Sequence, residues 1–337
     1  TETDKVWKAV SEPKRQLRSH WWTASFSALV QHTAQPAVNA AAMDSERDSR
    51  MADAQVDSAN SEPDAIDPSW DFSDAAVDES VVVPALPLAY NDFPAGSAYG
   101  TLLHDLLEWQ AQRGWPAASD GSAAAVAAGW KSLLARKSQR LKLTQEHVTL
   151  VDDWIQHILS TAIPLSLHGA EATTVRLSTL TRAQAWPEMA FALSVQGTRA
   201  VTIDRLIQQH VLTGLPRAPL QDRQLVGMLI GFIDMVLEHE GRYYVLDYKS
   251  NRLPTYDAAQ LQAAILSHRY DVQYTLYLLA LHRLLKSRLP DYDYDQHIGG
   301  VLYLFLRGID QPGSGLFAEK PPRGLIEALD DAFKEVA

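Results

Sequence analysis

The sequence predicts an α/β (α+β) domain in which helices flank a small mixed β-sheet. Apolar runs rich in Val, Ile, Phe and Tyr indicate the strands, which are expected at residues 189–195, 225–250 with a break at 239–242, and 300–306. Segments with helical periodicity lie between and before them. These segments cover residues 98–113, 122–143, 148–162, 258–267 and 270–289.

Local sequence signals support the individual elements. Leucines 102, 103, 106 and 107 share one face of the first long helix, which also carries His104. The helix at 148–162 is expected to end before Pro164, and Pro290 is expected to end the helix at 270–289. The first strand, at 189–195, is expected to begin after Pro187. No internal repeat is found.

Length and composition restrict the class of protein. The chain has 337 residues, of which 46% are hydrophobic and 21% charged, so it is expected to fold as one large or two modest domains. No apolar run approaches the roughly 18 residues that span a bilayer, and the first residues do not form a signal peptide. A cytoplasmic protein with no membrane partner is therefore expected. Because the chain has no Cys, disulfides, thiolate zinc sites and iron–sulfur clusters are excluded.

The negative charge is concentrated in one segment. The formal net charge is −11, and residues 44–79 contain twelve acidic and two basic residues, which leaves −1 on the remaining 301 residues. Residues 36–80 are therefore expected to be a disordered linker or loop. The other expected parts are an N-terminal segment at 1–35 that packs on the body, a helical part at 81–180 that carries His104, and a core at 181–337. The start at Thr1 suggests a fragment that follows a preceding domain.

Two acidic residues stand out in the paired strands around residue 240. If a tight turn is centred on Glu240-Gly241, residues whose numbers sum to 481 face each other, and Asp234 then lies opposite Asp247 with Cβ atoms roughly 5 Å apart. Two facing carboxylates repel each other, and a divalent cation such as Mg²⁺ or Mn²⁺ relieves that repulsion. Lys249 points to the same side as Asp247. This pattern predicts metal-assisted phosphodiester hydrolysis, whereas an isolated Asp-x-Lys on a surface hairpin is usually a solvated pair.

Other polar residues also have structural readings. His104 is either a metal ligand or a packed core histidine. By itself, Glu188 is typical of a surface residue at a strand end, and Gln273 and Tyr277 share one helix face that can belong to the core. A run of basic residues, here called the basic run, lies at residues 131–142 and is either a surface that contacts the DNA backbone or a solvated helix face. Its members are Lys131, Arg136, Lys137, Arg140 and Lys142.

Several motifs together resemble the C-terminal nuclease domain of RecB-type proteins, within the PD-(D/E)XK nuclease superfamily. The motifs occur in the family's order over most of residues 20–320. They are Gly100-Thr101-Leu102-Leu103-His104, Gly231-Phe232-Ile233-Asp234, Leu246-Asp247-Tyr248-Lys249-Ser250-Asn251, Tyr270-Asp271-Val272-Gln273-Tyr274-Thr275-Leu276-Tyr277 and Gly299 to Gly308.

The resemblance implies a restriction-endonuclease-like core with N-terminal helical additions. It implies that His104, Asp234, Asp247 and the backbone carbonyl of Tyr248 hold the metal, with Asp234, Asp247 and Lys249 catalytic. It also implies that Glu188 lies near the site, and that Gln273 and Tyr277 contact either the site or the DNA. The implied cofactor is Mg²⁺, with Mn²⁺ as a substitute and Ca²⁺ binding without turnover. The absence of Cys fits RecB-type rather than AddB-type nucleases, which carry a Cys-ligated iron–sulfur cluster.

The resemblance also implies partners and a pathway. Single strands of DNA would be delivered by the helicase part of RecB during resection of double-strand breaks, with RecC, RecD and RecA as protein partners. The chain has no Walker-type motif, so no ATP site is expected in it. Two alternatives stay open: a catalytically silent docking module for RecC and RecA, and a stand-alone PD-(D/E)XK nuclease.

Overall fold

The computed structural model describes residues 22–30, 89–113, 122–165, 173–309 and 314–334. The expected linker at 36–80 lies outside the described residues. The strands are β1 (Trp22–Ala24), β2 (Ile163–Pro164), β3 (Thr174–Val175), β4 (Ala185–Arg199), β5 (Gln224–His239), β6 (Arg242–Lys249), β7 (Ile298–Phe305) and β8 (Leu316–Glu319).

Helices α1 to α9 follow the same chain order. They are α1 (Phe26–Val30), α2 (Ser97–Gln112), α3 (Ser122–Arg140), α4 (Gln145–Ser160), α5 (Ala200–His210), α6 (Ala258–Ser267), α7 (Tyr270–Arg288), α8 (Tyr294–His297) and α9 (Arg323–Lys334). None of the described helices combines the length and apolarity needed to cross a bilayer.

Six of the described strands form one mixed sheet. β4 pairs antiparallel with β5 along most of its length, and the other edge of β5 is shared by two strands. Residues 227–229 of β5 pair in parallel with β1, while residues 235–239 pair antiparallel with β6. β7 then joins β6 in parallel, and β8 joins β7 antiparallel. The sheet therefore forks between β1 and β6.

Helices cover both faces of this sheet, so the predicted α/β class with a mixed sheet is confirmed. One apolar core, here called the first core, includes buried residues of α5, α7 and α9. The second core lies on the opposite face and includes buried residues of α2, α3 and α4. Along β7, Val301, Tyr303 and Phe305 belong to the first core, and Leu302 and Leu304 to the second. This alternation is the two-residue period of a strand buried on both faces.

The described part of the N-terminal segment belongs to the sheet and to the first core. β1 adds a short parallel strand to β5, and α1 buries Phe26, Leu29 and Val30. Each of these side chains is at most 4% exposed. Burial of that apolar area fixes the segment against β5.

The predicted helices at 98–113, 122–143, 148–162, 258–267 and 270–289 are all present, with ends within a few residues of those expected. The expectation that the first strand starts after Pro187 is wrong, because β4 begins at Ala185 and includes Pro187. β4 lies at the edge of the sheet, where a proline without an N–H group is tolerated. Several short or terminal elements were not predicted from the sequence, namely β1, β2, β3, β8, α5, α8 and α9.

Arg307 connects the segment before α2 with the end of β6. Its buried guanidinium donates hydrogen bonds to the carbonyl oxygens of Ser250 (2.8 Å), Phe93 (2.7 Å) and Pro94 (2.8 Å). Burial lowers the pKa of Arg307 to about 10. These bonds hold the segment that leads into α2 against the end of the strand that carries Asp247 and Lys249.

Candidate active site and metal centre

The turn between β5 and β6 sets the register predicted from the sequence. Glu240 and Gly241 both have positive φ, 51° and 78°, which is the conformation of a two-residue type I′ hairpin turn. The paired residues run from His239 opposite Arg242 to Met235 opposite Leu246, and their numbers sum to 481 as predicted. This register places Asp234 opposite Asp247, immediately beyond the last paired residues.

Asp234 lies at the fork of the sheet. β5 and β6 are paired from Met235 to His239 of β5 and diverge on the Asp234 side of Met235. There the Tyr248 backbone N–H donates a hydrogen bond of 2.9 Å to Asp234 Oδ2. The carboxylate thus accepts from a backbone group of β6 that would otherwise bond a neighbouring strand. A buried N–H needs such a partner. The bond brings Asp234 next to the Asp-x-Lys segment of β6.

His104 reaches the same point from α2. The leucines of this helix are buried in the second core, and His104 is 6% exposed. Its Nδ1 lies 3.3 Å from Asp234 Oδ2, and its ring meets the Tyr248 ring edge to face at 5.9 Å. The structure therefore brings His104 and Asp234 together, although they are 130 residues apart in the chain.

Lys249 is buried beside Asp247. The Lys249 side chain is 1% exposed, and its Nζ lies 2.9 Å from Asp247 Oδ2. Nζ also donates a hydrogen bond of 3.0 Å to Gln273 Oε1 and lies 3.9 Å from the centre of the Tyr270 ring. A carboxylate, an amide oxygen and an aromatic face all stabilise a positive charge.

Gln273 and Tyr277 lie behind Lys249. Gln273 Oε1 accepts from Lys249 and from the Tyr303 hydroxyl at 2.8 Å, while Gln273 Nε2 donates to the Tyr277 hydroxyl at 3.1 Å. The Tyr277 ring also packs against Phe191. Gln273 and Tyr277 are 2% and 3% exposed, so they belong both to the core and to the surroundings of Lys249. Their contacts favour a role in the site over direct contact with DNA.

The neighbouring charges alter the ionisation of His104 and Asp234. Burial lowers the pKa of His104, but attraction to and hydrogen bonding with Asp234, with a further contribution from Asp247, raise it above its ordinary value overall. Burial raises the pKa of Asp234, but His104, the Tyr248 N–H and Lys249 together lower it. Burial also raises the pKa of Tyr248 well above its ordinary value. His104 and Asp234 therefore stabilise each other's charged forms.

A small cleft opens at this point. It is lined by His104, Glu108, Glu188, Asp234, Met235 and Tyr248. Glu188 lies between the paired residues Pro187–Met235 and Met189–Ile233 of β4 and β5, at the level of Asp234, and it has a left-handed backbone with φ 51°. The expectation that Glu188 lies at the end of the first strand is wrong, because the residue lies inside β4.

Glu108 was not predicted. It lies four residues after His104 in α2, so the two side chains share a helix face. That spacing was visible in the sequence and could have identified Glu108.

The donor groups suit a hard divalent cation. Carboxylate oxygens, an imidazole nitrogen and a backbone carbonyl are ligands for Mg²⁺ or Mn²⁺. Among the described residues, no three His, Asp or Glu side chains already converge on one point. Instead, His104 Nδ1 lies 3.3 Å from Asp234 Oδ2, and Lys249 Nζ lies 2.9 Å from Asp247 Oδ2. A divalent cation bound between Asp234 and Asp247 would add positive charge beside both carboxylates, next to His104 and Lys249. The residues present therefore fit a divalent ion.

The basic run on α3 is not a uniform surface track. Lys137 forms a salt bridge with Asp105, a buried residue of α2 next to His104. Arg136 donates a hydrogen bond of 3.2 Å to Ser132 Oγ on its own helix. Lys131, Arg136, Arg140 and Lys142, which follows the end of α3, are exposed. Lys137 thus links α3 to the helix that carries His104, and the four exposed members stay candidates for DNA contacts.

The mixed sheet flanked by helices is consistent with a nuclease fold. A sequence profile of the PD-(D/E)XK nuclease superfamily matches residues 85–337, and the chain belongs to this superfamily. Its members generally use divalent metal ions.

Within that class, the chain is similar to proteins named RecBCD enzyme subunit RecB. It is 38% identical to that of Escherichia coli (strain K12) over 273 residues, covering 79% of this chain and 21% of that protein. It is 38% identical to the protein of Haemophilus influenzae over 201 residues, covering 58% of this chain and 16% of that protein. It is 29% identical to the protein of Mycobacterium tuberculosis (strain H37Rv) over 270 residues, covering 71% of this chain and 24% of that protein. The chain spans about a fifth of the length of these relatives.

Proposed function

We propose that this chain is a Mg²⁺-dependent deoxyribonuclease domain that hydrolyses DNA phosphodiester bonds. The observation that carries the proposal is the meeting of Asp234, Asp247, His104 and Lys249 at the fork of the sheet. Membership of a nuclease superfamily supports the reaction class. The choice of Mg²⁺, and of Mn²⁺ as a substitute, rests on the oxygen-rich donor set.

His104, Asp234, Asp247 and the backbone carbonyl of Tyr248 would hold the ion. When bound, the ion supplies positive charge to a phosphate oxygen and makes water more acidic. Asp234 is oriented for its role by the Tyr248 N–H. His104 is oriented by its helix and by its contact with the Tyr248 ring.

Lys249 is the group that stabilises charge on the phosphate. Its ammonium is positioned by Asp247 and Gln273 and shielded from water by the rings of Tyr270 and Tyr303. A charge held in place within a dry site needs no reorganisation when negative charge develops in the transition state. Gln273 in turn is fixed by Tyr277 and Tyr303, so these residues position Lys249.

The biological setting is inferred from the relatives' name. Similarity to RecB proteins over most of this chain supports a role in recombinational repair as part of a RecBCD-type helicase–nuclease. We infer RecC, RecD and the RecB helicase part as assembly partners, with RecA as a further partner. Co-purification of tagged RecC with the chain would support this assembly, and failure to co-purify at micromolar concentration would count against it.

The nuclease proposal is tested on labelled single-stranded DNA with Mg²⁺, Mn²⁺, Ca²⁺ or EDTA. We expect cleavage with Mg²⁺ or Mn²⁺ and none with EDTA or in Asp247→Ala. Asp247→Asn, which keeps the side-chain shape, should also be inactive while retaining the wild-type circular dichroism spectrum. Asp222→Ala is the matched control, because Asp222 pairs with the exposed Arg199 at the other end of β4 and β5. Cleavage that survives EDTA or loss of the Asp247 carboxylate would overturn the proposal.

A further inference from the structure

Beside the cleft, β4 and β5 present a face on which, among the described residues, some side chains are exposed and others half-buried. In the first half of β5, Leu229 and Ile233 belong to the first core, so the even-numbered residues of this stretch face the opposite side. Cross-strand partners face the same side, which assigns the residues of β4. The surface, here called the open face, consists of Ala190, Ala192, Ser194, Val226, Met228, Ile230 and Phe232.

The open face lies on the same side of the sheet as the cleft. Met235 and Leu237 belong to the second core, whereas Ile233, also odd-numbered, belongs to the first. The side faced by odd-numbered residues thus changes at Asp234. The side faced by the odd-numbered residues of β4 changes at the same level of the sheet, since Ala185 belongs to the second core and Leu193 to the first. The left-handed backbone of Glu188 accounts for this change in β4. The cleft lies at the change, and the open face extends away from it.

Phe232 is the prominent side chain of this surface. It is 37% exposed and precedes Asp234 by two residues, roughly 6.7 Å along a strand. Its direct cross-strand neighbour is Ala190, and Ala192 is the next residue of β4 on this face; both alanines are exposed. Small neighbours leave the Phe232 ring accessible. On the other face, Gly231 gives Phe191 room, because a Cβ at residue 231 would come within 2.9 Å of the Phe191 ring.

The chemistry of the open face selects one kind of ligand. All seven residues are uncharged, so the surface offers nothing to a row of phosphates, which contact Arg and Lys in protein–DNA interfaces. An unpaired base, in contrast, has an apolar π-face that stacks on an exposed aromatic ring, and sheet surfaces with exposed aromatic residues commonly bind single strands in this way. A base in a duplex is already stacked and paired.

We propose that the open face binds unpaired nucleotides next to the scissile phosphate, with a base stacked on Phe232. This inference rests on the proposed function, since it places the cleaved bond at Asp234. It makes Phe232 a positioning residue that holds a single strand across the cleft.

The test measures binding of a fluorescein-labelled oligothymidylate in the Asp247→Asn background with Ca²⁺, so that no cleavage occurs. Stacking of a base contributes roughly 1–3 kcal/mol, so Phe232→Ala should weaken binding by roughly 5- to 150-fold. Phe232→Trp should retain the affinity, and Phe232→Leu should lose most of it. Binding of duplex DNA should not change.

Trp186→Ala is the matched control. Trp186 is also exposed, at 38%, and lies on β4, but it packs against Tyr243 and pairs with Val236 of the first core, on the opposite face. Its substitution should leave affinity for the oligothymidylate within about twofold. An equal loss from Trp186→Ala, or no loss from Phe232→Ala, would overturn the inference.

Two further outcomes are distinguishable. If Phe232→Ala binds normally but abolishes self-association in sedimentation, the open face is a contact between copies of the chain and the inference fails. If the wild-type chain cleaves DNA as proposed while Phe232→Ala binds normally, only the inference fails. If Phe232 governs binding but no metal supports cleavage, the proposed function fails and the binding surface stands.

Discussion

Replacing Lys249 with methionine tests the charge balance of the site. Lys249 is 1% exposed and lies 2.9 Å from a carboxylate oxygen of Asp247, whose side chain is 4% exposed. Methionine fills nearly the same volume but carries no charge. In Lys249→Met without metal, the buried Asp247 carboxylate loses its nearest cation. Removing one partner of a buried ion pair typically costs about 3–5 kcal/mol.

We therefore expect Lys249→Met to lower the free energy of unfolding by about 3–5 kcal/mol in EDTA. The double variant Asp247→Asn/Lys249→Met removes both charges and should recover most of that loss. Lys334→Met is the matched control, because the Lys334 side chain is 58% exposed and its buried partner Asp330 keeps an ion pair with Arg283. Loss of such an exposed cation costs about 0–1 kcal/mol.

Urea denaturation followed by circular dichroism measures these free energies. If Lys249→Met costs no more than Lys334→Met, Asp247 does not depend on Lys249 and the reasoning is refuted. Adding Ca²⁺ should stabilise Lys249→Met, because a ligand that binds only the folded state shifts the unfolding equilibrium, by about 2.7 kcal/mol at a concentration one hundred times Kd. Absence of any Ca²⁺ effect would contradict a cation site between the carboxylates.

Further predictions concern the backbone and pH. Glu188→Gly should relieve the strain of a left-handed residue and raise stability by about 1 kcal/mol in thermal unfolding, whereas Glu188→Ala should not. Gly299→Ala should destabilise the domain by about 1–3 kcal/mol, since its Cβ would come within 2.2 Å of the Tyr244 ring, while Gly324→Ala, with open space in α9, should not destabilise it in the same denaturation assay. Burial raises the pKa of Glu319, so the stability that this carboxyl contributes is present in acid and is lost as pH rises through the raised pKa. Glu319→Gln should therefore stabilise the domain at pH 7, with a gain that shrinks toward pH 4; a gain that is independent of pH would contradict this.

The sequence was sufficient to predict the hairpin because its determinants are local. Two-residue alternation and the turn at Glu240-Gly241 determine the register of β5 and β6, and the register places Asp234 opposite Asp247. The spacing of the leucines in α2 also predicted which face of this helix is buried. Its side chains are buried in the second core, and this burial turns His104 toward β5.

The features of the fold and of the site that were not predicted mostly depend on contacts between distant parts of the chain. Nothing near Glu188 in the sequence indicates its left-handed backbone, which lies where β4 and β5 both change the side that their odd-numbered residues face. The salt bridge that ties Lys137 to Asp105 likewise depends on how α3 packs on α2. By contrast, α9 could have been predicted, since Leu325, Ile326, Leu329 and Phe333 have helical spacing.

The fork of the sheet places Asp234 and Asp247 on strands that are anchored by different neighbours. One arm of the fork carries Asp247 and is anchored through β7, while the other carries Asp234 and is anchored through β4 and β1. Between the arms, beyond Met235, the bond from the Tyr248 N–H to the Asp234 carboxylate replaces a strand-to-strand ladder. The angle at which the arms diverge therefore sets the spacing of the two carboxylates, because no ladder joins the strands at this point. In the proposed metal site, the two carboxylate ligands would come from separately anchored arms.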